Sequence, residues 1–394
     1  MPQDAYIIAR ARTPIGSFGG SLASVPATEL GSIAIRAVLQ RGGVDPSDVD
    51  EVIFGNVVSA GLGQNPARQA SIGAGLPTSV GATTVNKVCG SGLKSVMLAA
   101  QAIQLKQAHV IVAGGTENMS RAPYLLPEAR TGYRMGSGEM IDSMIHDGLR
   151  DAYGGRSMGV YGDRCAEKYD LTRQQQDDFA VRSYTRARQA TADGIFSQEI
   201  VPVEVTQKRK TVTVREDEEP TRFDEEKLRS LRPAFNDDGT VTAGNASSIN
   251  DGAAALLVVS EDRLGGLAGR PAARIVGGAT FSREPEWFTI APIGALKKLL
   301  DQVGWTVDDT DLFEINEAFA AVTLVAEREL AIPPEKVNIL GGAVALGHPI
   351  GCSGARVLVT LLTGLLHTGG KRGIACLCVG GGEAVALAVE MAQR

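Results

Sequence analysis

The stretch NKVCGSGLK, residues 86–94, places Cys89 between an apolar, strand-prone run and a Gly-Ser-Gly turn that opens a helix. A thiol there is either a small hydrophobe packed in a core or a nucleophile aimed by the backbone. The turn favours the second use. Free N–H groups and the positive end of a helix dipole stabilise a thiolate. The small residues that follow leave room for a substrate and let backbone N–H groups meet an oxyanion. Such a nucleophile needs a base, and the chain holds four histidines. His109 opens an apolar strand and His367 lies near a helix end, so both are expected to be structural or solvated; His146 fits either use. His348 stands apart in NILGGAVALGHPIGCSGAR, a glycine-dense loop before a helix, with Pro349 fixing the chain direction. An imidazole held between two Gly-rich turns suits a general base.

Two further cysteines alternate in the strand-like IACLCVGGGEA and so share a face. Cys378, nearer the Gly-rich turn, is the candidate for chemistry, and Cys376 is expected in the core. In DLFEINEA, Asn316 and Glu317 follow an apolar run, where they either cap a helix or orient a water and a histidine. No His/Cys grouping has zinc-like spacing, so no metal is expected.

The elements that must carry these residues are legible in outline. Val- and Ile-rich runs such as AYIIA, HVIVAGG and AAALLVVS alternate with helical patterns such as ATELGSIAIRAVLQRGG. That alternation predicts an α/β fold of mostly parallel sheets covered by helices on both faces. CGSGLKSVMLAAQAI resembles GCSGARVLVTLLTGL, aligning Ser91-Gly92 with Ser353-Gly354 and Lys94 with Arg356. Each is followed by a strand ending in glycines, which suggests a duplicated unit with a pseudo-twofold relation. From about residue 119 to 249 the composition shifts toward Arg, Asp, Glu, Tyr and Met. This region contains a helical pattern that Thr172 can cap and Gly194 can close. It reads as an insertion that roofs a site beyond the carboxyl ends of the strands.

The net charge of −6 and the lack of a basic stripe exclude nucleic acid as the main partner. No apolar stretch is read as reaching the roughly 18 residues of a membrane helix. MPQDAYIIARARTPIG lacks a signal-peptide core, and VEMAQR carries no targeting tripeptide. Five irregularly spaced cysteines argue for a reducing compartment, and a cytoplasmic protein is expected. The acidic run EDEEP, Glu216 to Pro220, is expected to be a solvated loop.

Seven stretches occur in one order: RTPIGSFGG, NKVCGSGLK, AGGTENMS, TVTAGNASSINDGAAA, EINEAFA, GGAVALGHPIGCSGAR and CVGGGEA. With them the chain resembles the thiolases, acetyl-CoA acetyltransferases and 3-ketoacyl-CoA thiolases, over essentially its whole length. The resemblance implies duplicated βαβαβαββ halves packed as an αβαβα sandwich. The first half would be 1–118 plus about 250–269, the inserted loop domain for CoA and oligomer contacts 119–249, and the second half 270–394. It implies Cys89 as the acyl-accepting nucleophile, His348 as its base, and Cys378 as a second acid/base that removes the α-proton of acetyl-CoA. Asn316 would hold a water that forms one oxyanion hole with His348, and the N–H groups of Cys89 and Gly380 would form the other. Ser247, Ala243 and Phe235 would line the pantetheine and adenine channel, Phe319 would lie near the acyl end, and Arg222 would face the adenine and phosphate end. Met158 favours a short acyl pocket, while Ser157 departs from the CoA-contacting His common in short-chain members. The implied activity is reversible condensation of two acetyl-CoA to acetoacetyl-CoA and CoA through an acyl-cysteine. A degradative thiolase of broader chain length is the alternative; a non-catalytic CoA-ester carrier would be expected to lose Cys89, His348 or Cys378. CoA and acyl-CoA are then substrates, with no tightly bound cofactor, and the expected assembly is a homo-oligomer, dimer or dimer of dimers. GYRMGSGEM, residues 132–140, would serve oligomer contacts or be a plain surface loop.

Overall fold

The computed structural model describes residues 3–207, 210–267 and 271–392. In chain order, β1 (Ala5–Arg12) and the short β2 (Gly16–Ser17) precede α1 (Ala27–Gly42), β3 (Glu51–Gly55), α2 (Pro66–Gly73), β4 (Gly81–Val85), α3 (Ser91–Gln104) and β5 (Val110–Asn118). An excursion follows, with the antiparallel pairs β6 (Tyr124–Leu125) and β7 (Ile141–Asp142), then β8 (Val203–Gln207) and β9 (Lys210–Val214). It also carries α4 (Met158–Lys168), α5 (Arg173–Ala192) and α6 (Glu225–Ser230). The chain returns through β10 (Asn250–Ser260), which lies between β5 and β1. The second run comprises β11 (Ala273–Ser282), α7 (Ala291–Val303), β12 (Leu312–Ile315), α8 (Ala320–Glu329), α9 (Ala343–Leu346), α10 (Ile350–Thr368), β13 (Arg372–Val379) and β14 (Glu383–Met391).

The strand order β4-β3-β5-β10-β1 continues through an antiparallel β1–β11 contact into β11-β14-β13-β12. Among the described strands of this sheet β3–β4, β3–β5 and β12–β13 pair in parallel and the other pairs are antiparallel. This corrects the expectation of mostly parallel sheets: β10 and β14 run back beside β5 and β13 instead of crossing over into parallel pairs. Within the first run the βαβαβαββ pattern is complete. In the second, the strand equivalent to β4 is reduced to one parallel bridge between Phe313 and Val337. The cause is local. Pro333 and Pro334 cannot donate to a ladder, and the Asn338 side-chain amide bonds the backbone N and O of Ile315 at 2.7 and 2.8 Å instead of a neighbouring strand.

Alternation along the strands builds the layers. In β10, Ala254, Leu256 and Val258 pack with α3 and α10, whereas Ala255, Leu257 and Val259 pack with α1 and α2 on the opposite face. On the far side, α7 and α8 cover Phe313, Ile315, Ile374 and Cys376. The result is an αβαβα sandwich whose central layer is α3 beside α10. Helix α10 corrects the reading that no stretch is long enough to span a membrane. It is long and apolar enough by itself, and Ile350 through Leu365 are all buried because both sheets cover it.

In the excursion, Thr172 caps α5 in a reciprocal pair with Gln175, and Gly194 follows the helix at φ 70°. The acidic run corrects another expectation. Asp217 is buried and accepts from both terminal nitrogens of Arg12 at 2.6 and 2.8 Å, and from the Ile15 N–H. Glu218 accepts from the N–H groups of Ser17 and Ser21. A fully buried guanidinium needs counter-charge, which draws the segment onto β1. The expected boundary at residues 269–270 lies outside the described residues.

Candidate active site

Between β4 and α3 the backbone turns through Val88, whose φ of 46° is left-handed and unfavourable for a β-branched residue. Neighbours hold it there. The Asn86 carboxamide oxygen accepts from the Val88 N–H at 3.0 Å, and the Ser91 hydroxyl accepts from the Lys87 N–H at 2.8 Å while donating to the Val88 carbonyl at 2.6 Å. Strain of this kind costs about 1–3 kcal/mol and persists only where the surroundings over-determine it. Its effect here is to turn Cys89 toward a cavity, half-buried, while the other four cysteines are buried.

Burial pushes the Cys89 thiol up to about 11, and the N–H groups of Gly380 and of Cys89 itself pull it back only in part. These two N–H groups favour the thiolate but lose to desolvation. Cys89 rests as a neutral thiol and needs a base.

His348 follows Gly347, whose φ is 103°, and its N–H donates to the Asn250 side chain at 2.9 Å. Its Nδ1 lies 2.5 Å from the Ser353 Oγ, and that hydroxyl spends its own proton on the Pro349 carbonyl at 2.8 Å. Ser353 can then only accept from Nδ1, so Nδ1 carries the ring proton and Nε2 keeps its lone pair. Nε2 has no protein partner among the described residues. Burial, with Arg356 nearby, pushes the imidazole down to about 3, which keeps it neutral and basic in form at pH 7.

Cys378, one residue before the end of β13, is fully buried among Tyr161, Phe288, Phe319 and Met158. Burial raises its thiol well above the usual range, and a charge on nearby Cys89 raises it further. Cys376 shares its strand face but packs under α7 and α8, away from this cluster. Among the described residues, neither the oxygen nor the nitrogen of the buried Asn316 amide has a protein partner, which leaves both able to bind a small molecule. Glu317 neither caps α8 nor faces the cavity. Its carboxylate accepts from Ser183 Oγ, Asn338 Nδ2 and the Val344 N–H at 2.7–3.0 Å, tying α5 and α9 together behind the site.

A cavity of about 500 Å³ brings the pieces together, lined by Cys89, His348 and Gly380 and by Met158, Arg222, Phe235, Ala243, Ser247 and Phe319. Cys378 and Asn316 lie buried and off its lining. Phe235 meets Phe319 edge to face at 6.3 Å, and Tyr161 meets Phe288 likewise at 6.2 Å. Arg222 pairs with Glu218 and is more than half exposed, which sets it at the rim. Ser157 also lines the cavity and makes no capping bond to α4. The sequence reading missed Phe288 and Ile249 in the wall and Ser353 behind His348. Ser353 carried a signal, since it aligns with Ser91, and each serine braces a reactive turn at the start of its helix.

The chain matches the thiolase N-terminal domain over residues 5–262 and the thiolase C-terminal domain over residues 269–391, and it belongs to the thiolase family. Acetyl-CoA acetyltransferase 2 of Arabidopsis thaliana is 53% identical over 393 residues, 99% of this chain and 98% of that protein. The crystal structure of the Bacillus anthracis acetyl-CoA acetyltransferase superposes with a TM-score of 0.97 at 43% identity, covering 99% of each chain. The Acat5 thiolase of Ascaris suum, solved in complex with coenzyme A, superposes with a TM-score of 0.94 at 41% identity, covering 99% of this chain and 100% of that one.

Proposed function

We propose that the protein is an acetyl-CoA acetyltransferase that condenses two acetyl-CoA to acetoacetyl-CoA and CoA, and runs the reverse thiolysis. The carrying observation is that a half-buried cysteine and a neutral imidazole, its Nε2 without a partner among the described residues, line one cavity beside a second, buried cysteine. His348 Nε2 takes the Cys89 proton, and the thiolate attacks the thioester carbonyl. The N–H groups of Cys89 and Gly380, already directed at the sulfur, meet the oxyanion. CoA leaves with a proton from Cys378, which becomes a thiolate. That thiolate removes the α-proton of the second acetyl-CoA, while protonated His348 and a water held by Asn316 stabilise the enolate oxygen. Each such donor is typically worth about 3 kcal/mol. The enolate carbon attacks acetyl-Cys89, the Cys89 thiolate leaves, and His348 returns its proton.

Phe235, Ala243, Ser247 and Arg222 suit the pantetheine arm and phosphates of CoA, with Met158, Phe288 and Phe319 closing the acyl end to a short chain. Five free cysteines support a reducing, cytoplasmic setting. We also read 119–249 as an inserted domain between halves 1–118 with 250–269 and 270–394. Exposed Met135 and Met140 on that insertion support a homo-oligomer, dimer or dimer of dimers.

The test is thiolysis of acetoacetyl-CoA and of a longer 3-ketoacyl-CoA by wild type, Cys89→Ala, Cys378→Ala and Cys376→Ala. We expect turnover of the four-carbon substrate in wild type and Cys376→Ala alone, with no acyl-enzyme on Cys89→Ala by mass spectrometry. Equal turnover of the longer substrate would replace the short-chain reading with the broader one. Binding without turnover of either would sink the enzyme reading.

A further inference from the structure

The reaction proposed above needs Cys89, before α3, and His348, before α10, in fixed register, although the two belong to different halves of the duplication. One buried carboxylate spans that divide. Glu117, near the end of β5, is fully buried. Its Oε2 accepts from the Gly351 N–H at 2.9 Å and from the Val57 N–H at 3.0 Å. Its Oε1 accepts from Asn56 Nδ2 at 3.0 Å and from the Val58 N–H at 3.2 Å. Gly351 lies in the first turn of α10, which also holds Ser353, the partner of His348. Val57, Val58 and Ile350 pack together with Cys89. All four partners are donors, so the group acts as an acceptor only, and an anion at the N-terminal turn of a helix is favoured by the helix dipole. The approach is close as well: the Gly351 carbonyl oxygen would sit only 2.0 Å from a Cβ on Gly115 of β5.

We propose that Glu117 is a positioning residue for the thiolase reaction, anchoring the first turn of α10 on the first half so that His348 stays in register with Cys89. It touches neither substrate nor reacting atoms in this role. It acts through Gly351 and Ser353. Burial pushes its carboxyl up to about 7 against the pull of the three backbone N–H groups. The anion is thus held by this donor set alone, and loosening any donor weakens the anchor.

The inference rests on the thiolase reading, and the experiment separates the two. Glu117→Gln keeps the shape but turns an NH₂ donor toward N–H donors. Glu117→Asp keeps the charge but withdraws it by one methylene. For wild type and both variants we would measure kcat and KM for acetoacetyl-CoA thiolysis, the iodoacetamide alkylation rate of Cys89 at pH 8, and the thermal midpoint. Misplacing a catalytic group by about 1 Å costs on the order of 10²-fold. We expect kcat to fall at least tenfold in each variant that folds, with KM within about twofold, and Cys89 alkylation to slow in parallel. A lower thermal midpoint with unchanged kcat and alkylation in either folded variant makes Glu117 merely structural and overturns the proposal. An inactive wild type would instead overturn the function itself.

Discussion

Gly92 and Gly354, paired in the internal alignment, press against each other's helices where α3 and α10 run side by side. A Cβ on Gly92 would lie 2.6 Å from the Ala355 nitrogen, and one on Gly354 would lie 2.2 Å from the Leu93 nitrogen. These contacts are to backbone, so no side chain can swing away to relieve them. Overpacking of this kind typically costs about 1–3 kcal/mol. Gly354→Ala should therefore lower the urea midpoint and, by spreading the two helix starts, reduce kcat as well. An unchanged midpoint would mean that the helices slide apart freely.

A neutral Cys89 thiol facing a neutral imidazole makes a prediction about pH. With His348 in place, alkylation of Cys89 should be faster at pH 7–8 than without it, because Nε2 accepts the thiol proton as the sulfur attacks. In His348→Asn the reaction should follow the thiol's own ionisation, raised to about 11, and be slow below pH 9. The check is an iodoacetamide rate profile from pH 6 to 11. A profile in the variant that overlies wild type would show that His348 is not the base.

His348 also links stability to pH. Its folded value is pushed from 6.5 down to about 3, so the unfolded chain binds a proton there more readily. The sign follows from linkage: this contribution is fully present above pH 6.5 and is lost as pH falls toward 3. Between pH 4 and 7 the urea midpoint should rise more steeply in wild type than in His348→Asn. Equal slopes would place the low-pH loss in other groups.

The acidic loop carries a stability prediction. Removing one member of a buried ion pair strands the other charge and typically costs about 3–5 kcal/mol. Asp217→Asn leaves the Arg12 guanidinium with Glu199 as its remaining carboxylate partner. A fall in thermal midpoint of several degrees is expected. A shift under one degree would show that Glu199 alone suffices.

Much of the site was legible because its turns are written in glycine and proline. The Gly-rich segments that aim Cys89 and His348 mark them as candidates, and the nearness of a Gly turn singles out Cys378 from Cys376, which alternation puts on the same face. What stayed hidden depends on distance along the chain or on solvent. Asp217 meets Arg12 across 205 positions, and nothing local to EDEEP announces a buried guanidinium. Glu117 lies in the AGGTENMS stretch, but nothing local to it announces the four donors from other segments that converge on its carboxylate. The reduced strand at Val337 depends on one side chain, Asn338, imitating a backbone. The raised Cys89 thiol reflects desolvation, which sequence position near a helix start does not report.

A repeated chain would ordinarily be bivalent, with one functional centre per repeat. Here the starts of α3 and α10 deliver unlike residues, a thiol and an imidazole, to the same cavity, and each is braced by its own serine. The doubling has thus been spent on making two unlike lips of a single mouth. Counted by stoichiometry, each chain should accept one acyl group at a time, and neither repeat should hold one when severed from the other.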